Sequence, residues 1–452
     1  MLASVLVLAD LELAALAEDE RRSLVDARAR VQALEAEMRL PFGERRRRGD
    51  AELGRALQQA RVELTQVVGT VRASHPALWP AALDEREMLA LVPPGGALVV
   101  PLITPAGGAA LLLSQGSADG APARVVTLDA LTSDRLNALF IGSDEKPGWL
   151  LRYTAWRDQG GNDEWDAAIA TITRELWDVI MGPVHEELRS LGIGTGAPVT
   201  IVSQGWLGLL PLHAAWRECE GAPRSFLDDY VVSYTPSLGV LRTLWQRRQQ
   251  PQRQRRALLA VVDPTHDLAY SREEGDAVAA LFPPAERQLL AGDAATLADV
   301  ARHAPEASYL HFACHGVYRW DDVMQSGLRL ADGFMTLADV HSPRFDLGRT
   351  RLVTLSACES GLFDFVRSEE YVGLPAAFLQ AGAPCVVSCL WPVDDRATGL
   401  LMQRFYETHL KDGLDVASAV RAAQIWLRDR PETSEASFAH PFYWAAFTCT
   451  GI

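Results

Sequence analysis

Cysteine is scarce. Six residues in 452, at 219, 314, 358, 385, 389 and 449, are too few and too irregularly spaced for a secreted disulfide framework. Free thiols in a reducing cytoplasm are therefore expected. The chain also lacks an apolar run of about 18 residues, the length that spans a bilayer. Its apolar start, Met1–Ala17, carries Asp10 and Glu12 and has no basic opening, so neither a signal peptide nor a membrane anchor is read there. Positive charge is in deficit. Forty-three Lys plus Arg against 58 Asp plus Glu leave a formal charge of −15, and such an acidic balance argues against nucleic acid as a partner, because phosphate binding draws on clustered cations. What is present is a globular composition. Hydrophobic residues make up 48%, charged residues 22%, and there are 12 Trp, which excludes disorder for most of the chain. At about 150 residues per domain the length implies two or three domains.

Ala3 to Leu40 contains neither Gly nor Pro, and Leu, Ala and Val recur at helical spacing among Glu and Arg, so one long amphipathic helix is expected. Pro41 ends it. The polar turn Pro41–Gly49, with four arginines at Arg45–Arg48, precedes a second periodic segment from Asp50 to about Arg72. Residues 1–80 therefore predict a helical hairpin that buries apolar faces. No aromatic residue interleaves the arginine run, which fits a solvated turn rather than a nucleic-acid patch. In residues 81–245 short β-rich runs (Ala97–Val100, Ala109–Leu113, Arg124–Leu128, Val199–Val202) alternate with helical stretches such as Trp165–Leu191. That half reads as α/β. Residues 246–256 are polar, basic and free of aromatics, and read as a linker. From 257 to 452, strand-like Ala257–Val262, Ser308–Ala313, Arg351–Ala357 and Cys385–Leu390 alternate with helical Glu273–Leu281, Tyr371–Gln380, Arg396–Leu410 and Val416–Arg428. This pattern predicts a mostly parallel sheet with helices on both faces. Chemistry in such a sheet gathers just beyond the carboxyl ends of the strands.

Two strand ends hold the informative residues. One runs Tyr309-Leu310-His311-Phe312-Ala313-Cys314-His315-Gly316; the other runs Leu352-Val353-Thr354-Leu355-Ser356-Ala357-Cys358-Glu359-Ser360-Gly361. A thiol needs a base within hydrogen-bond reach to act as a thiolate near neutral pH, and neighbouring parallel strands would bring His315 and Cys358 to the same edge. Gly316 lets its backbone N–H approach a carbonyl, and with the N–H of Cys358 it would make two donors for a developing oxyanion. The residue types alone also fit a buried free thiol and a satisfied histidine.

The strings His311–Gly316 and Leu355–Gly361, with Gly373–Pro384, Val387–Asp395 and the closing Tyr443-Trp444-Ala445-Ala446-Phe447, together resemble a CHAT domain. That family belongs to the caspase-like clan of cysteine peptidases. The likeness covers most of Ala257–Ile452, and the stretch from about Leu83, including Ile201–Leu207 and Leu210–Leu212, resembles the preceding half of the same family. The resemblance implies a caspase-like catalytic domain at 257–452 and a related, non-catalytic α/β half at 81–245. It implies His315 as general base and then acid, Cys358 as nucleophile, and no metal, cofactor or third charged partner. It also implies regulated proteolysis of a protein substrate beside a regulatory partner, and, among prokaryotic members, a place in defence systems. In the clan the pocket for the residue before the scissile bond is lined by the loop after the cysteine. Here Asp364, Glu369 and Glu370 would suit Arg or Lys, and Phe363 and Phe365 would suit Leu or Met. Ser356 stands where arginine-cleaving metacaspases carry aspartate, which weakens the basic-residue choice.

Other residues have structural readings. Cys314, Cys385 and Cys389 lie on apolar strands and are expected in the core. A zinc site from His311, Cys314, His315 and Cys358 lacks the paired spacing of structural sites. Trp391, Asp394 and Asp395 would fix a turn, and His213 has no cysteine at a matching strand end. Ser360–Glu370 and Val317–Gln325 are the expected mobile segments. A catalytically silent scaffold that binds partner proteins, and a thiol hydrolase of small amides, are the alternative functions.

Overall fold

The computed structural model describes residues 16–39, 50–74, 83–104, 107–115, 123–142, 146–159, 163–203, 205–248, 257–319, 323–342, 344–357, 360–361, 363–364, 372–431 and 437–452. Two compact units are present, one within Met1–Asp84 and the other formed by Glu85–Phe365 with Tyr371–Ile452.

The first unit holds α1 (Glu18–Arg39) and α2 (Asp50–Ser74). Leu24, Ala27, Val31 and Leu34 on α1 meet Leu53, Leu57, Ala60 and Leu64 on α2 in one buried cluster. Their alternating three- and four-residue spacing puts each set on one stripe of its helix. Arg30 and Glu63 pair across the two helices at 2.6 Å. The helix expected from Ala3 is described only from Glu18; residues 1–15 and the turn at 40–49 lie outside the described residues. Glu18, Asp19 and Glu20 fill the first turn of α1, where negative charge faces the positive end of the helix dipole.

The second unit is organised by an eleven-stranded sheet. Its strands are β1 (Ala97–Thr104), β2 (Gly107–Ser114), β3 (Ala123–Leu128), β4 (Ala197–Val202), β5 (Tyr230–Thr235), β6 (Leu258–Val262), β7 (Arg287–Ala291), β8 (Tyr309–Ala313), β9 (Leu352–Ser356), β10 (Cys385–Cys389) and β11 (Phe447–Gly451). Their spatial order is β3-β2-β1-β4-β5-β11-β10-β9-β8-β6-β7. Pairing is parallel except at β1–β2, β2–β3 and β10–β11. The last strand thus joins β5 to β10, and one sheet runs through both stretches that flank residues 246–256.

Every residue of β6, β8, β9 and β10 is buried, as continuous apolar runs require when both faces of a parallel sheet are covered. The covering helices are α3 (Ser271–Ala280), α4 (Leu374–Gln380), α5 (Asp395–Leu410) and α6 (Val416–Arg428). Successive side chains on β8 show the two layers: His311 meets Tyr406 of α5, with ring centroids 5.5 Å apart, and Phe312 on the opposite face meets Phe378 of α4 at 5.9 Å. A fully buried Phe of this kind contributes about 1.5–3 kcal/mol. Helix α3 lies directly on the end of β6: a Cβ at Gly275 would come within 2.5 Å of Val262 Cγ2, so only glycine permits the approach.

Among the described residues no helix is long and apolar enough to cross a membrane.

Candidate active site

Strands β8 and β9 are parallel neighbours in register, with Ala313 opposite Ser356. His315 stands two residues beyond the first and Cys358 two residues beyond the second. Cys358 itself, with Glu369 and Glu370, lies outside the described residues. The chain on its far side is fastened to β10. Gly361 N–H donates to Cys389 O (2.6 Å), Cys389 N–H donates to Ser360 Oγ (3.1 Å), and that hydroxyl donates to Leu355 O (3.3 Å). A Cβ at Gly361 would sit 2.9 Å from Cys389 O, which explains glycine there.

His315 leads into an antiparallel ribbon of Gly316–Val317, Gly327–Leu330 and Gly333–Thr336. Arg329 N–H donates to His315 O at 2.8 Å. That makes 315 and 329 a hydrogen-bonded pair and Gly316 with Leu328 a non-hydrogen-bonded one, so the N–H of Gly316 is directed away from its partner strand.

The loop after β6 supplies His315 with a charged partner that no motif of the sequence marks. His315 Nε2 lies 3.0 Å from Asp267 Oδ1, with the two side chains 38% and 60% exposed. Asp263 builds the loop: its N–H donates to Ala313 O at 2.9 Å, and its Oδ1 accepts from the N–H groups of Asp267 (3.0 Å) and Leu268 (3.2 Å). Asp263 and His266 take φ of 43° and 60°. A left-handed residue costs about 1–2 kcal/mol, least for Asp and Asn, whose side chains bond locally as Asp263 does. The Thr265 hydroxyl donates to Asp267 and, with the His315 ring, holds the carboxyl of Asp267 below its ordinary range. An ionised carboxylate only accepts, so Nε2 of the neutral ring carries the proton and Nδ1 is left as the acceptor. No residue of this loop follows a helical or strand period. The available signal was position, since Asp267 follows a strand that ends at the same sheet edge.

Asp364 lies on the short strand Phe363–Asp364, opposite Val372. His311 turns into the core, 3.1 Å from Glu274 Oε1, and the side chains are 0% and 1% exposed. Tyr406 OH closes the same corner against Thr354 Oγ1 at 2.9 Å. Cys314, Cys385 and Cys389 are buried, and among the described residues no group of three or more His, Cys, Asp or Glu could hold a metal. Asp394 caps α5 through the N–H of Ala397 (2.9 Å). Trp391 Nε1 donates to Phe442 O (3.0 Å) and Leu390 N–H to Ala446 O (2.9 Å), so the closing aromatic motif fastens the end of β10. His213 is fully enclosed, with Nδ1 2.8 Å from Tyr234 Oη and Nε2 accepting from Gln424 (3.2 Å); burial lowers its pKa to about 3.

The mostly parallel sheet thus carries a histidine and a carboxylate at one strand edge, and in the sequence a cysteine follows the neighbouring strand by two residues. The CHAT domain model matches residues 171–452, and the chain belongs to the CHAT domain family. Mouse tetratricopeptide repeat protein 28 is 33% identical over 122 residues, 27% of this chain and 5% of that protein. Its human counterpart is 35% identical over 86 residues, 19% of this chain and 3% of that protein. The chain thus spans a small fraction of the curated relatives it matches. Among solved structures, the Saccharomyces cerevisiae separase–securin complex is similar with a TM-score of 0.42 and 14% identity, over 95% of this chain and 28% of that one. The Arg-specific cysteine proteinase gingipain R is similar with a TM-score of 0.42 and 10% identity, over 63% of this chain and 68% of that one.

Proposed function

We propose that the chain is a regulated cysteine endopeptidase acting through His315 and Cys358 on a protein substrate. The observation that carries this reading is the register of β8 and β9: Ala313 and Ser356 are opposed at their ends, His315 and Cys358 each follow two residues later in the sequence, and such strand ends are where an open α/β sheet does its chemistry. Family membership supports it.

The Cys358 S–H proton passes to Nδ1 of His315, and the sulfur forms a C–S bond with the substrate carbonyl carbon. The carbonyl oxygen takes the charge and is held by the N–H groups of Gly316 and Cys358. Collapse breaks the C–N bond, and the imidazolium proton goes to the leaving amine. Water then attacks the thioester, giving a proton to Nδ1; the C–S bond breaks and the proton returns to sulfur. Asp364, Glu369 and Glu370 form the candidate pocket for a basic residue before the scissile bond. We place the activity in the cytoplasm of a bacterium, held off until a partner protein releases it, in a signalling or defence role.

An electrophilic peptide probe tests the reading. Labelling of the wild-type protein, lost in Cys358→Ala and accompanied by cleavage within a peptide library, is the expected result. Cleavage of small amides alone overturns the endopeptidase assignment, and an unreactive Cys358 in the presence of candidate partners leaves the silent scaffold.

A further inference from the structure

We infer that Asp267 is a positioning residue, which holds the His315 ring in the tautomer and orientation that present Nδ1 to the thiol. The inference rests on the peptidase reading for its purpose and on separate geometry for its substance. The carboxylate and the ring nitrogen are 3.0 Å apart. They come from different strands, since Asp267 follows β6 and His315 follows β8, and these strands pair in parallel with Val262 opposite Ala313.

The loop is built to keep the carboxylate in place. Asp263 accepts two backbone N–H groups, one of them from Asp267. At its far end Tyr270 N–H donates to Asp395 Oδ2 of α5 (2.8 Å). Asp267 is therefore tied on both sides. The exposed His266–Asp293 pair, at 3.1 Å, engages the neighbouring ring and leaves Asp267 to His315.

An acceptor on Nε2 decides two things. It selects the tautomer whose Nδ1 lone pair can take the thiol proton, and it stabilises the imidazolium that forms when that proton arrives. A surface ion pair without this role would leave both unchanged.

The experiment compares the full chain with its Asp267→Ala, Asp267→Asn and Asp267→Glu variants. The nitrogen NMR spectrum of the 15N-labelled His315 ring, recorded in the neutral form, reports which nitrogen carries hydrogen. The rate of Cys358 alkylation by iodoacetamide reports the thiolate. Wild type should show a protonated Nε2 and a bare Nδ1. Asp267→Ala should show a mixture of tautomers and alkylate roughly 10- to 100-fold more slowly, the scale set by removing the hydrogen-bond partner of a metal-bound histidine. Asp267→Glu should recover part of both, and thermal unfolding should be unchanged because the side chain is exposed. An unaltered ring spectrum in Asp267→Ala overturns the inference, as does an altered spectrum with an unaltered alkylation rate. If Cys358 of the wild type stays unreactive with candidate partner proteins present, the peptidase reading falls, and the ring spectrum alone decides whether Asp267 holds His315.

Discussion

His213 and His315 serve one sheet from its two halves, and their surroundings give them opposite tasks. His213 follows β4, is enclosed on all sides, and spends both nitrogens on Tyr234 and Gln424. The same amide nitrogen of Gln424 lies 2.9 Å from Trp444 O and 3.0 Å from Phe447 O and shares its two hydrogens among these acceptors, so the imidazole sits in the cluster that locks the C-terminal strand between the halves. His315 keeps 38% of its side chain exposed and has a carboxylate on one nitrogen. Burial with neutral partners makes a histidine a structural bolt. Partial exposure with an anionic partner leaves it able to move protons.

Changes at these two sites should separate the tasks. The largest effect is expected at the exposed one: Cys358→Ala or His315→Ala should lower peptide cleavage by about a thousand-fold or more, with urea unfolding unchanged. His213→Ala should do the reverse. Leaving Gln424 and Tyr234 with unpaired polar groups around a small cavity should cost about 2–4 kcal/mol in urea unfolding, while turnover of the folded fraction is kept.

The pH dependence sharpens the contrast. His213 takes up its proton near pH 6.5 when unfolded and near 3 when folded. Between those values the unfolded chain binds more protons, so this group's contribution is fully present above the unfolded value and is lost as pH falls. The loss is about 1.4 kcal/mol per pH unit, or about 2 kcal/mol at pH 5. Urea midpoints of wild type and His213→Gln should therefore converge on acidification. Asp267 also has a lowered pKa in the folded chain, and its contribution is likewise lost as pH falls through the folded value. Because it is solvent-exposed, Asp267→Ala should leave the acid limb of stability within experimental scatter.

A stability cost smaller than that at His213 is expected at Gly361. Gly361→Ala forces a methyl against Cys389 O and should cost about 1–3 kcal/mol. Its catalytic loss should exceed that of His213→Ala, because the displaced chain adjoins position 358.

Much of this was legible beforehand. The apolar runs at 258–262, 309–313, 352–356 and 385–389 become central strands, since a parallel strand covered on both faces must be apolar throughout. The stripe through Leu24, Ala27, Val31 and Leu34 marks α1 by its spacing. The pairing of β11 between β5 and β10 was not legible, nor was the carboxylate beside His315. Glu274 was equally hidden: it reads as a polar face of α3, yet it is buried against His311.

Local residue order settles the periodic segments and the chemical types at their ends, because side-chain pattern fixes which faces are buried and strand polarity fixes which ends carry loops. Which histidine is enclosed and which meets a carboxylate follows from the folded arrangement alone. Those outcomes depend on contacts between segments 48 residues apart in one case and 211 in the other, and no local pattern encodes such distances.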